Sequence, residues 1–310
     1  MSHITAGDIL PIRYKPESQY NHAGGDASYY GDLTEGGAFT PTDNPNPHTT
    51  WTGAKGRRYD PTKYVYTNLE AGYNVSLETR DLAGWDRIID YAILTNRLLP
   101  TSRHTILEVA RASEPTDIDM ITYSGCMTDR LEIRADQPGG IVRFEESVLA
   151  SYSLPATHTI PPVHNRYEDK PAVQWKGPTY YNGVEIYPQS LRISINNNIG
   201  RVKGEVNPDG TLRTISATTA LVLGRQEITA EVDVWMEDLA AIIERGPGFL
   251  EENGGTTPLV VTFGIEHPVS LTMTVQPMAD GQHHGIVQDK QMQTLRFKCS
   301  AISKAAVTSP

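Results

Sequence analysis

Histidines, carboxylates, thiols and hydroxyls are the side chains able to do chemistry, and in this chain their spacing argues against it. Asp280 lies close before His283-His284. A metal centre needs three or four ligands converging with defined geometry. Adjacent histidines on a strand point to opposite faces, so this group reads as a solvated hairpin tip. Glu266-His267-Pro268 reads as a turn, and Glu145-Glu146 as a surface pair at a strand end. Ser124-Gly125-Cys126, with Thr122 nearby, lacks the Gly-x-Ser-x-Gly elbow of a nucleophile. Gly204 and Gly210 match no phosphate-binding fingerprint. Asn196-Asn197-Asn198 suits a strand cap or a turn better than a ligand cluster. Asp81 and Glu237-Asp238 sit at helix starts, where carboxylates offset the macrodipole. No catalytic constellation, metal site or cofactor site is expected.

The elements that would carry these residues are mostly strands. Alternation predicts strands near Ile9–Tyr14, over Tyr64–Thr79, His104–Ala110, Met120–Met127, Leu131–Ala135 and Ile141–Leu149. In the second half it predicts Leu191–Ile195, Glu227–Trp235, Leu259–Ile265, Val269–Val275 and Met292–Ile302. Helical spacing covers Asp81–Leu94, with Trp85, Ile88, Ile89 and Ala92 on one face, and Glu237–Arg245, stopped by Gly246-Pro247. Residues 17–61 read as a long loop with Tyr29, Tyr30, Phe39 and Trp51, aromatics that suggest ordering on a partner. A loop is also expected over 199–223. Residues 152–189 read as a Pro-rich, semi-rigid connector.

Charge and composition narrow the function classes. The chain has 310 residues, a formal net charge of −10 and a hydrophobic content of 38%, enough for a core. Its densest basic cluster is Lys55-Gly-Arg57-Arg58, so a protein that grips DNA tightly is disfavoured. An acidic surface is compatible with letting DNA slide past. Cys126 and Cys299 are expected as buried reduced thiols. No secretory signal or membrane-spanning run is read, and synthesis in a cytoplasm is expected.

The two halves resemble one another. Val142-Arg-Phe-Glu-Glu-Ser147 is echoed by Leu295-Arg-Phe-Lys-Cys-Ser300 (295 − 142 = 153), Ile106-Leu107 by Leu259-Val260 (259 − 106 = 153), and Ile88-Ile89 by Ile242-Ile243 (242 − 88 = 154). Val75 and Ile228 again differ by 153. Each half reads strand, helix, strand, strand, Gly-rich turn, strand, as a duplication would give. The Asn-rich hairpin of the second half has no clear twin, and residues 17–63 are the candidate for a much-altered counterpart.

Ser190-Leu-Arg-Ile-Ser-Ile-Asn-Asn-Asn198, the long loop after it and Gly224-Arg-Gln-Glu-Ile-Thr-Ala-Glu-Val232 resemble the core signature of tail tube proteins of long-tailed phages and archaeal tailed viruses. The resemblance covers about 110 residues of the second half, with a weaker echo in the first. It implies a mainly β chain with short helices, built as two tandem related β-sandwich or barrel units, each with a flanking helix. The expected division is a first unit over 1–151, a connector over 152–189 and a second unit over 190–310. Such chains pair with copies of themselves into rings that stack as a hollow tube, assembled in the host cytoplasm and residing in the virion tail. With two units per chain, a pseudo-hexameric homotrimer is favoured over a hexamer. The other implied partners are tape-measure, terminator and baseplate proteins and double-stranded DNA in passage, with no membrane. Residues 17–63, with their aromatics, and 199–223 become arms toward neighbouring subunits or rings. Glu227, Glu231 and Asp233, which share one face by spacing, become a candidate acidic lumen strand. The alternatives are another virion structural protein (terminator, baseplate or decoration protein) and a β-sandwich ligand-binding module.

Overall fold

The chain is described from a computed structural model covering residues 12–19, 22–23, 27–34, 37–42, 44–49, 64–80, 82–93, 102–111, 114–158, 172–206, 212–235, 256–264, 269–278, 283–287 and 290–306. In order the elements are β1 (Ile12–Gln19), β2 (His22–Ala23), β3 (Ser28–Leu33), β4 (Phe39–Pro41), β5 (Asn44–Thr49), β6 (Tyr64–Glu78), α1 (Leu82–Ile93), β7 (Arg103–Arg111), β8 (Glu114–Ala135), β9 (Arg143–Ala150) and β10 (Tyr152–His158). They continue as β11 (Thr179–Tyr181), β12 (Val184–Ile186), β13 (Ser190–Asn196), β14 (Gly200–Val206), β15 (Leu212–Val222), β16 (Glu227–Trp235), β17 (Thr257–Phe263), β18 (Val269–Pro277), β19 (His283–Val287) and β20 (Lys290–Ala306). The fold is mainly β, with one short helix among the described residues. The helix expected at Glu237–Arg245 lies outside them.

An antiparallel run crosses the molecule in the order β4, β6, β9, β8, β13, β16, β20, β18, β17, β11, β12. Its central step joins the halves: β8 lies beside β13, with Leu131 opposite Ile195 and Ile133 opposite Ile193. One strand serves two sheets because β8 bends. Gly125 takes a φ of 63°, which an L side chain resists, and the register slips between Thr128 and Arg130. Before the bend β8 runs between β7 and β10; after it, between β9 and β13.

Strict alternation explains the core. Leu191, Ile193 and Ile195 of β13 and Ile228, Ala230, Val232 and Val234 of β16 all point to the buried face. The helix lays its apolar stripe on that face, with Trp85, Ile88, Ile89 and Ala92 fully buried. Trp85 stands against Phe144 of β9 and Phe263 of β17, ring centroids 6.2 and 5.2 Å away. Lys304 of β20 reaches the same helix, its Nζ 2.5 Å from Asp86 and 2.7 Å from Asp90. Nearly all of the buried apolar side chains described form one contiguous cluster spanning both halves.

Three stretches read as irregular carry strands. Within 17–61 the chain forms β3, β4 and β5, which dock on β6. Proline masked these strands, yet Pro45 and Pro47 sit on β5, whose described partner is β6 alone, the edge position where a missing N–H is harmless. The expected 199–223 loop is the β14–β15 hairpin, which also meets β6 in parallel at Ser216 opposite Asn68. The connector contributes β10, β11 and β12. Its Val173 and Trp175 bond through the backbone to Val142, Gly139 and Gly140 at the β8–β9 turn.

Candidate functional site

The outward face of the central sheet carries its charge in rows. Pairing register sets Glu78 opposite Arg143, Arg143 opposite Arg134, Arg134 opposite Arg192, Arg192 opposite Glu231, and Glu231 opposite Arg296. Two residues along the strands, Glu145 stands opposite Glu132. Glu132 is almost enclosed. Arg192 grips it side-on, Nη2 donating to Oε2 at 2.7 Å and Nε lying 2.7 Å from Oε1 as an ion pair. Arg130 approaches to 3.4 Å and Arg134 to 3.8 Å. The bond to Glu132 raises the Arg192 pKa above its usual value. This two-point pair spans the β8–β13 seam and fixes its register as well as adding attraction. A hollow of about 390 Å³ opens beside it, bordered by Thr40, Asn74, Glu145 and Ser147.

A second polar group is buried in the first half. Arg103 lies over the rings of Tyr30 and Tyr91, 4.6 and 4.7 Å from their centroids. Its Nη2 donates to Glu146 at 2.7 Å, and Thr128 and Tyr30 donate to the same carboxylate at 2.5 and 3.0 Å. Burial opposes the Arg103 charge, but Glu146 and the tyrosine oxygens outweigh it and hold its pKa well above the ordinary value. Burial pushes Tyr30 and Tyr73 up. Glu146 is therefore a core residue, not the surface carboxylate its neighbour Glu145 remains.

The expected arm aromatics separate. Tyr30 and Phe39 are buried in the core of their own chain, Phe39 stacked on Tyr73 at 4.7 Å. This corrects the reading of them as residues offered to a neighbour: strand pairing of β3 and β4 with β6 turns both inward. Tyr29 is half-buried, its hydroxyl donating to Asp32 at 2.8 Å. Trp51 lies outside the described residues.

Glu227, Glu231 and Asp233 do share the outward face of β16. They do not form a bare acidic stripe. Arg296 pairs with Glu231 at 2.8 Å, and Asp233 accepts hydrogen bonds from Ser190 and, at 2.5 Å, from Thr294. His283 and His284 fall in β19, opposite Thr294 and Gln293. Among the described residues, no three His, Cys, Asp or Glu side chains converge to hold a metal. No described helix is long and apolar enough to cross a membrane. Cys126 and Cys299 are free, buried thiols, each pushed up to about 12 by burial.

One residue of the Asn run has a role its sequence does not signal. Buried Asn197 donates through Nδ2 to the carbonyls of Ala92 at 3.0 Å and Thr128 at 2.8 Å. Gln226 donates to Asn197 Oδ1 at 2.8 Å and to the Ile93 carbonyl at 3.0 Å. The last carbonyls of α1, unsatisfied within the helix itself, are thus met by side chains of the second half. Asn198, at φ 48°, turns the chain there.

No family model and no curated protein matches the sequence.

Proposed function

We propose that this chain is a structural protein of the tail tube type: two related β units in tandem, assembled three chains to a ring, with rings stacked into a tube through which DNA passes. The observation that carries the reading is a shared pairing register. Val75 faces Glu146 and Ile228 faces Cys299, each second pair displaced by 153 residues (228 − 75 and 299 − 146). Leu77 opposite Phe144 and Ala230 opposite Phe297, and Glu78 opposite Arg143 and Glu231 opposite Arg296, keep that displacement. A side-chain pattern can recur in unrelated strands. Common displacement of both partners is what descent from one unit would produce.

Connectivity supports the same division. β1 lies beside β7 and turns back into β3, as β11 lies beside β17 and turns back into β12. The β5–β6 hairpin follows β4 as the β14–β15 hairpin follows β13. The second unit would then start near Thr179, earlier than residue 190, with β11 and β12 belonging to it.

The unit-to-unit contact supports ring building. β8 of the first unit meets β13 of the second, a head-to-tail contact of the kind that closes into rings when repeated by rotation. In the described residues β4 at one end of the run and β12 at the other each pair on one side only. Such open edges invite pairing with another chain, and closure removes them.

Electron microscopy of the purified chain tests the reading. Expected are rings or open-ended tubes, with a ring mass near three times 34.2 kDa. Monodisperse monomers at high concentration would sink it. A capping or decorating protein would bind tube ends or capsids without polymerising.

A further inference from the structure

We propose that the outward face of the central sheet is a weak, non-specific binding surface for the phosphate backbone of double-stranded DNA, carried by Arg130, Arg134, Arg143, Arg192 and Arg296. The proposal deepens the tube reading and rests on it only for the source of the DNA.

Three features point to it. First, the arginines Arg143, Arg134 and Arg192 stand directly opposite one another on the adjacent strands β9, β8 and β13. Like charges in direct cross-strand register destabilise a sheet; here Glu132, Glu145 and Asp136 offset the repulsion while each guanidinium keeps a side open to solvent. From β9 to Arg296 on β20 the row spans four strand spacings, roughly 19 Å.

Second, the charge is layered. The guanidinium side chains are 40–54% exposed, whereas Glu132 beneath three of them is 3% exposed. Over Glu132 an anion meets guanidinium first, although Glu145 and Asp136, 52% and 66% exposed, lie beside the row and bring the total close to balance. Third, the flanking acids are engaged: Glu231 with Arg296 and Glu145 with Arg134 at 3.4 Å. This arrangement differs from a lumen lined by bare carboxylates, which would repel DNA. Arginine matches phosphate in geometry as well as charge, while the paired carboxylates keep the attraction weak and easily broken by salt.

The test is binding of a fluorescent 30-base-pair duplex by the full chain across a salt series. Expected is affinity measurable at low salt, with log K falling against log salt by about 0.9 for each phosphate neutralised. R130A/R143A/R296A should weaken binding at least tenfold and flatten that slope, with the circular dichroism spectrum unchanged. The lysine triple variant R130K/R143K/R296K should retain most of the slope. K55A/R57A/R58A, which removes the basic cluster read from the sequence, should leave binding as it was. If the alanine triple variant fails to fold, Arg143→Gln serves, because its nearest described carboxylate, Asp136, is 3.8 Å away. Its expected slope is lower by about 0.9.

No salt-dependent binding, equal binding by the arginine variants, or loss confined to the 55–58 variant would each overturn the proposal. Tubes without duplex binding would remove this inference and leave the tube reading. Binding by a chain that never forms rings would do the reverse.

Discussion

At the scale of single residues, burial decides what the chemically capable side chains can do. Glu145 and Glu146 are neighbours in sequence, but strand alternation sends one outward and the other under Arg103, Thr128 and Tyr30. The two thiols illustrate the same control. Cys126 and Cys299 have folded values near 12, against 9.0 for an ordinary thiol, so neither presents thiolate at neutral pH. The unfolded chain loses these protons near pH 9 while the folded chain keeps them, so stability is full below that pH and declines as pH rises from about 9 toward 12. Urea midpoints should fall between pH 8 and pH 10.5, and the decline should be shallower in C126A/C299A. At pH 8 a thiol reagent should modify the folded chain no faster than it unfolds. Rapid labelling of either cysteine would contradict the packing described.

At the scale of elements, the helix and the seam are where the two halves depend on each other. The expectation of α1 rested on the spacing of Trp85, Ile88, Ile89 and Ala92, and the helix forms over Leu82–Ile93. What completes it was not legible there, because Asn197 lies 105 residues beyond Ala92 (197 − 92). Asn197→Ala leaves the Ala92 and Thr128 carbonyls without that donor. The expected loss is about 1–3 kcal/mol, since a buried acceptor left unpaired costs its desolvation. Urea unfolding reads the loss. A change below a few tenths would mean that water or Gln226 replaces the amide. The strands β3, β4, β5, β14 and β15 were hidden for a related reason. Proline, glycine and asparagine lower strand propensity, but edge pairing and hairpin geometry tolerate them once a partner such as β6 is in place.

At the scale of the molecule, the two halves are packed into one another. Tandem units with separate cores would melt separately. Here one apolar cluster includes residues of both halves, Trp85 touches Phe263, and Arg192 grips Glu132 across the seam. One cooperative thermal transition is therefore expected, with calorimetric and van't Hoff enthalpies in agreement. Two resolved transitions would show that the seam is weaker than its contacts imply. On the proposed tube reading, a chain whose halves share their core would enter a ring as one preassembled piece, leaving three seams per ring to form by encounter.

Alternation of apolar and polar residues determined much by itself: a strand-dominated chain, the helix at 82–93, the cores of β6, β9, β13, β16 and β20, and the 153-residue echo between halves. These are local properties, set by whether successive side chains fall on one face or two. Only the tertiary structure decided which strands stand side by side. Pairing placed Arg143, Arg134 and Arg192 in one row, turned Tyr30 and Phe39 inward, buried Glu146 and brought Asn197 to the end of α1. Residues far apart in sequence become neighbours only through register, and register is a property of two strands together, which no single stretch contains.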